Sequence, residues 1–317
     1  MAAVTIAVPV YNGEALIGEA LRCLQDQTLH DLEIIVLDNA STDRTAGIAE
    51  EFAQRDPRFR IIRQPFNKGA VANFIDGIAA ANGEFFAWRA FDDLSDPNYF
   101  EILHAALLRA PHAALAVGTI QSMDLDGGHK RIRVLPKLSG HAALDLRTLF
   151  FGSHAAWFYG LWRRPLLLPV FHKALEIFPE AWGSDHLILF PFLLERNICF
   201  DEDAIFYQRL KRSAADPRRK SSVPASEMLR IRADFGRACG AFLDADETLT
   251  TFERCVARCL LPFYVNKRSY RLGLIARGLG DQPRCGLRIS VGGGVGGCRR
   301  QMGRCRARGR GRLLRGG

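Results

Sequence analysis

The sequence predicts an α/β fold: a doubly wound, mostly parallel sheet with helices on both faces, then a helical C-terminal region and a disordered basic tail. Three observations carry this. Four short apolar runs precede Asp92, and amphipathic helical patterns separate them. Strands alternating with crossover helices close into a parallel sheet. Two long helical patterns follow Pro224, and from about Gln282 the chain is rich in Arg and Gly and has no periodicity, too little apolar surface to build a core.

Residues 4–10 (VTIAVPV) are β-branched and apolar, and a turn follows at Tyr11-Asn12-Gly13. Leu16, Ile17, Ala20, Leu21 and Leu24 then share one helical face. Residues 32–37 (LEIIVL) form the second strand, ending at Asp38, and Ser41 or Thr42 is expected to cap a helix with Ile48, Ala49, Phe52 and Ala53 inward. Asp56-Pro57 breaks that helix, and residues 59–63 (FRIIR) make the third strand. After Pro65, a helix carries Val71, Phe74, Ile75, Ile78 and Ala79 on one face until Asn82-Gly83. Residues 84–91 are the fourth strand, closing on Asp92-Asp93, and Ser95 or Asp96 with Pro97 opens a helix through Leu108.

The second half is less regular. Residues 113–135 read as strand, turn at Asp126-Gly127-Gly128, and return strand. A helix near Leu144–Phe151 and an aromatic stretch from Trp157 to Trp162 follow. Residues 183–197 look helical but contain Pro191; an interior proline costs about 3 kcal/mol, so a shorter element is expected. Residues 225–243 and 246–266 read as two further helices.

The composition is that of a globular protein, with 48% hydrophobic and 24% charged residues among 317. It excludes a disordered chain, a collagen-like fibre and a polytopic membrane protein. No basic segment precedes the first strand, so a secretory signal is not expected. The net charge of +9 is located in the tail, where ten arginines stand between Gln282 and Gly317 without one Asp, Glu or Lys. The remainder is close to neutral, and the basic balance is no argument that the folded body binds nucleic acid. The tail itself reads as an RGG-like arm, a solvated appendage, or GC-rich coding sequence read out of frame, and no function is built on it. Eight cysteines show neither a disulfide framework nor zinc-ligand spacing, which fits a reducing, cytoplasmic compartment.

In open parallel sheets, ligands bind outside the carboxyl ends of the strands. Here those ends carry Tyr11, Asn12, Asp38, Asp92 and Asp93. Neither a G-x-G-x-x-G after the first strand nor a P-loop is present. A nucleotide sugar would use every member of the set: a ring to stack on the base, an acid to accept a pyrimidine N–H, and an acid to hold Mg²⁺ or Mn²⁺ against the diphosphate. Taken singly, Asp38 could instead cap the Ser41–Thr42 turn, and Asp92 and Asp96 could be acids at a helix N-terminus.

The runs VTIAVPVYNGEALIGEALRCLQDQT, LEIIVLDNASTDRT and NKGAVANFIDGIAAANGEFFAWRAFDDLSDP resemble the family 2 glycosyltransferases, a large inverting group built on the GT-A fold. The likeness is strong over residues 4–109 and continues more weakly to about Gln208. It implies that Pro9, Tyr11 and Asn12 surround the base and ribose, that Asp38 reads the pyrimidine, and that Lys68 lies near the nucleotide. Asp92 would face the ribose and Asp93 the metal, Mg²⁺ or Mn²⁺; Ala90 stands where the family often has a further acid. Asp185, in Trp182-Gly183-Ser184-Asp185, matches the position of the general base, the alternative being an ordinary acid in the first turn of a helix.

The resemblance also divides the chain: a transferase domain over 1–215 (nucleotide half 1–110, acceptor half 111–215), helices over 216–281, and the tail 282–317. It implies a pyrimidine-nucleotide-sugar donor, UDP-linked, and a glycan or lipid-linked saccharide acceptor, with peripheral contact at the inner face of a membrane. Arg209, Lys211 and Arg212 replace the histidine that relatives often carry and would face the diphosphate. Trp157, Phe158, Tyr159, Trp162 and Trp182 are candidates for the acceptor side or for the core. Leu260, Leu261, Phe263, Tyr264 and Val265 are candidates for membrane docking or for helix packing. A nucleotidyltransferase would need a Gly-rich basic loop after the first strand, which is missing, and a degenerate member would bind nucleotide without turnover.

Overall fold

Seven consecutive buried residues make up β1 (Val4–Val10), as expected of a strand covered on both faces. The computed structural model describes residues 2–124, 131–210, 223–270, 272 and 275. The turn at Asp126–Gly128, the side chains of Lys211 and Arg212, and the tail from Gln282 lie outside the described residues.

β1 pairs in parallel with β2 (Leu32–Asp38), from Val4 opposite Leu32 to Val10 opposite Asp38. β2 pairs in parallel with β3 (Phe59–Arg63), and β4 (Phe85–Trp88) lies on the other side of β1, also parallel. Between these strands run α1 (Ile17–Gln25), α2 (Thr45–Arg55) and α3 (Ala70–Ala79). After β5 (Leu94–Ser95) and α4 (Tyr99–Arg109) come β6 (Leu115–Asp124), β7 (Arg131–Arg133) and α5 (Ala142–Gly152). A 3₁₀ turn over Ala155–Tyr159 leads into β8 (Leu161–Arg163), α6 (Arg164–Ile177), α7 (Ser184–Glu195) and β9 (Ile198–Leu210). The sheet order is β3-β2-β1-β4-β8-β6-β9-β5, with β7 on β6. β8 runs antiparallel to β4 and β6, so the second half is mixed. Strand order reverses at β1, and a crevice opens at its carboxyl end.

α8 (Ala225–Ala245) and α9 (Thr251–Arg268) pack on α7 and α5. Tyr264 and Val265 belong to the hydrophobic core there, so helix packing accounts for them, whereas Phe252 and Phe263 are exposed. Trp157 and Trp162 are core residues too.

Several element boundaries differ from expectation. α2 begins at Thr45, because the amides of Ser41 and Thr42 are held instead by Asp38 Oδ1 and Asn12 Oδ1. β4 stops at Trp88, since the chain turns tightly from Ala90 to Asp93. The inward face of α3 is Asn73, Gly77 and Ile78: a side-chain carbon at Gly77 would lie 2.9 Å from Ala7 Cβ, so this face approaches β1 too closely for a larger residue.

α6 was not apparent from periodicity. Pro165 sits in its first turn, where a missing N–H costs little, and Leu167, Phe171 and Ala174 form its buried face. α7 keeps its full length around Pro191, with every residue from Leu187 to Leu194 buried. Burial of a Leu or Phe contributes about 1.5–3 kcal/mol, and several together outweigh one proline. α9 starts at Thr251, fixed by a capping box between Thr250 and Glu253.

Candidate active site

Two loops at the carboxyl ends of β1 and β2 are laced together. The amide of Asn12 donates to Ser41 Oγ at 2.9 Å, Gly13 N to Thr45 Oγ1 at 2.8 Å, and Glu14 N to Asp43 Oδ2 at 3.1 Å. In return Thr42 N donates to Asn12 Oδ1 at 2.9 Å and Arg44 N to Glu14 Oε2 at 3.0 Å. Asn12 and Ala40 take left-handed backbone conformations, with φ of 50° and 60°, as sharp turns out of the strands require. Gly13 has no room for a side chain, since a Cβ would meet Phe91 and Val10 at 2.7 Å.

These loops and α3 enclose a cavity of about 460 Å³, whose walls include Pro9, Tyr11, Asn39, Gly69, Phe74 and Asp92. Tyr11 is 43% exposed, as a stacking platform must be. Asn39, buried at the end of β2, donates to Asn67 Oδ1 and accepts from Lys68 N, both at 2.9 Å. Asn73 Nδ2 donates to Leu37 O at 2.9 Å and holds α3 to the sheet. Gly69, with φ of 83°, starts α3 without a side-chain cap.

Asp38 is fully buried and is not a wall of this cavity. Its Oδ1 accepts the Ser41 amide at 3.1 Å, and Oδ2 lies 3.5 Å from Arg63 Nε but has no hydrogen-bond partner. The turn-capping role is thus present, and Oδ2 is sealed from the cavity beside the Arg63 guanidinium. Asn12 acts through the loops it joins. Lys68 Nζ is ion-paired with Asp76 of α3.

Asp93 is 4% exposed, and its Oδ1 accepts the Arg209 amide at 2.8 Å. Burial, then the charge of Asp92, pushes its carboxyl up to about 7, against the pull of that amide and of Arg89 and Arg209. Two adjacent carboxylates suit a divalent cation completed by ligand phosphates, which would also relieve the repulsion between them. No group of three or more His, Cys, Asp or Glu side chains clusters for a metal among the described residues, so the set fits a shared ion and not an all-protein cage. The Arg209 side chain pairs with Glu19.

Asp185 lies elsewhere, in a smaller cavity of about 180 Å³ with Phe171, Leu175, Ser184 and Ile188. Ala70, Phe74 and Tyr159 are walls of both cavities. The two spaces therefore adjoin, with Asp92 on the wall of one and Asp185 on the wall of the other, while Asp93 is buried and lines neither. Burial raises the Asp185 carboxyl, opposed by the His186 amide 2.7 Å from its Oδ1 and by the charges of His154 and Arg268. His154 is itself lowered to about 4, first by burial, so at neutral pH Arg268 is the standing cation. The Tyr159 hydroxyl is raised by burial and then by Asp93, Asp185 and Asp92. Phe158 and Tyr159 are thus the members of the aromatic cluster that reach the site, while Trp182 stacks on Tyr270 at 5.4 Å. Nothing in the sequence marks Asn73, whereas Asn39 follows Asp38 within the D-N-x-S element, the one signal that points to it.

The model of glycosyl transferase family 2 matches residues 5–164, half of the chain. The chain belongs to glycosyl transferase family 2. It is 40% identical over 130 residues to the putative glycosyltransferase EpsH of Bacillus subtilis (strain 168), covering 39% of this chain and 38% of EpsH. It is also 40% identical over 182 residues to the uncharacterized glycosyltransferase EpsJ of the same organism, covering 56% and 51%. The chain thus spans about half or less of these relatives. The fold is similar to that of S. aureus TarS 1–349 in complex with UDP-GlcNAc, with a TM-score of 0.66 at 18% identity over 84% of this chain and 73% of that one. It is similar also to the mannosyltransferase PcManGT of Pyrobaculum calidifontis in complex with GDP-Man and Mn²⁺, with a TM-score of 0.55 at 18% identity over 88% and 74%. The family 2 membership and GT-A fold expected from the sequence are borne out.

Proposed function

We propose that this family 2 member is an inverting glycosyltransferase that moves a sugar from a pyrimidine-nucleotide donor, UDP-linked, to a glycan or lipid-linked saccharide. The observation that carries the reading is the pair of adjoining cavities, one bordered by Asp92 and the other by Asp185, with Tyr159 as a common wall. The base would stack on Tyr11, and Asp38, buried behind the loop, would accept the ring N–H of a pyrimidine through Oδ2 once the loop shifts to uncover it. Pro9 and Asn12 shape that loop, Asp92 faces the ribose, and the start of α3 favours the diphosphate. Lys68 then acts by fixing α3 through Asp76.

Asp93 would hold Mg²⁺ or Mn²⁺, and a bound ion supplies neutralisation of the departing diphosphate. Asp185 accepts the proton of the acceptor hydroxyl as its oxygen attacks the anomeric carbon. Burial makes that carboxylate a better base than an exposed one. The TarS complex with UDP-GlcNAc supports the donor class, and the PcManGT complex supports a divalent ion. No helix among the described residues is long and apolar enough to cross a membrane; a cytoplasmic enzyme in peripheral contact with a membrane is the reading we favour, supported by exposed Phe252 and Phe263.

The test is thermal stabilisation of the full chain by UDP, TDP, GDP and CMP, each with and without Mn²⁺. A ligand at 100 times its Kd adds about 3 kcal/mol. Mn²⁺-dependent stabilisation by UDP or TDP is expected; preference for GDP, or no response at all, would overturn the donor assignment.

A further inference from the structure

We infer that the acceptor sugar seated against Asp185 is a deoxy pyranose, which turns a methyl group and not a hydroxymethyl group toward α6. The inference rests on the reading of Asp185 as general base, because the ring whose hydroxyl meets that base is the acceptor's.

The cavity beside Asp185 has a volume of about 180 Å³. An apolar cavity of about 150 Å³ holds one benzene, so there is room for a single six-membered ring with short substituents. Three of its walls are polar side chains. Ser184 and Asp185 are neighbours at the start of α7, and Tyr159 stands on the wall shared with the larger cavity. Ser184 Oγ already donates to Ala181 O at 3.1 Å, and Asp185 Oδ1 already accepts the His186 amide. α6 contributes only apolar walls, Phe171 and Leu175, and Ile188 from α7 and Phe158 from the 3₁₀ turn are apolar too.

A fully hydroxylated hexose presents hydroxyls around its whole rim. Those facing Asp185, Ser184 and Tyr159 find partners. A hydroxymethyl pressed on Phe171 and Leu175 would be stripped of water with none. A methyl group at the same carbon fills that wall and strands nothing. Apolar pockets reject an added hydroxyl only moderately, by about 10- to 100-fold, which sets the expected size of the preference.

The experiment uses the full chain saturated with UDP and Mn²⁺ and two matched pairs of probes. These are methyl α-L-fucopyranoside against methyl α-L-galactopyranoside, and methyl α-L-rhamnopyranoside against methyl α-L-mannopyranoside, each pair differing at C6 alone. Saturation-transfer NMR is expected to show the deoxy member of at least one pair binding about 10- to 100-fold more tightly, with its C6 methyl protons most strongly saturated. Leu175→Gln should erase the preference without changing stabilisation by UDP, and the volume-conserving Leu175→Met should keep it. Equal or tighter binding of the hydroxylated members, or a preference that Leu175→Gln leaves intact, overturns the inference. Binding of none of the four, with stabilisation by UDP preserved, overturns it while leaving the donor reading standing. Loss of the UDP response in the unmodified chain fails the donor reading and this inference together.

Discussion

The backbone N–H of Arg209 donates to Oδ1 of Asp93 at 2.8 Å, joining the end of β9 to the turn after β4 across 116 positions of sequence. That bond engages one carboxylate oxygen, and in the proposed reading the other oxygen would hold the cation. Asp93→Asn keeps an acceptor for the Arg209 amide and removes the charge. We expect the Mn²⁺-dependent part of the UDP response to vanish and turnover to fall by about 100-fold or more, with the fold retained. Thermal shifts with and without Mn²⁺ decide it, and a surviving Mn²⁺ effect would put the ion elsewhere.

Asp185 must be ionised to act as a base, and burial raises its carboxyl above the ordinary value of 3.8. The expected profile of kcat/KM therefore climbs with pH through a limb above the usual carboxylate range, then flattens. Asp185→Asn should abolish that limb and lower kcat by about 10²- to 10⁴-fold, with UDP binding retained. The profile is taken at saturating Mn²⁺, so that protonation of Asp93, itself raised to about 7, does not supply the limb; a limb that then persists in the variant would assign the base to another group.

The parallel half of the fold was legible because β1, β2 and β4 are covered on both faces and read as unbroken apolar runs. The laced loops were visible as motifs, yet hydropathy alone says nothing of them: Asn12 and Thr42 meet across 30 positions. α6 stayed hidden because Pro165 and Pro169 interrupt a pattern that burial of Leu167, Phe171 and Ala174 nonetheless sustains. Asn73 was illegible for a different reason. Its partner, the Leu37 carbonyl, lies 36 positions away, and only the assembled sheet brings it near. Tyr159 is one of five aromatic candidates, and its place as a wall of two cavities depends on α3 and α7 both bordering the smaller one.

Gly13→Ala tests the laced loops. The added methyl would stand 2.7 Å from both Phe91 and Val10, and overpacking of this kind costs about 1–3 kcal/mol. We expect a lowered Tm together with a raised KM for the donor, because Tyr11 and Asn12 move with Gly13. A lowered Tm with an unchanged donor KM would detach the loop from the nucleotide site.

His186 offers a test on stability. Its Nδ1 is buried without a hydrogen-bond partner among the described residues, and burial, then the charge of Arg268, lowers the imidazole to about 3. The unfolded chain protonates this group near 6.5, so below that pH it takes up a proton the folded chain refuses. Stability is unaffected above pH 6.5 and is lost as pH falls from there toward 3. Between pH 6.5 and pH 5 the loss is about 2 kcal/mol. His154, lowered to about 4, adds to it in the same direction, while Asp93, raised to about 7, and Asp185, whose carboxyl is also raised, work against it, so the comparison of His186→Leu with the unmodified chain isolates the histidine. His186→Leu keeps the backbone bonds to Asp185 and to the Tyr264 hydroxyl, and it removes the buried nitrogen. A shallower fall of Tm between pH 6.5 and pH 5 is the expected result. An unchanged slope would mean that the ring is hydrated in the folded protein and titrates as it does in the unfolded chain.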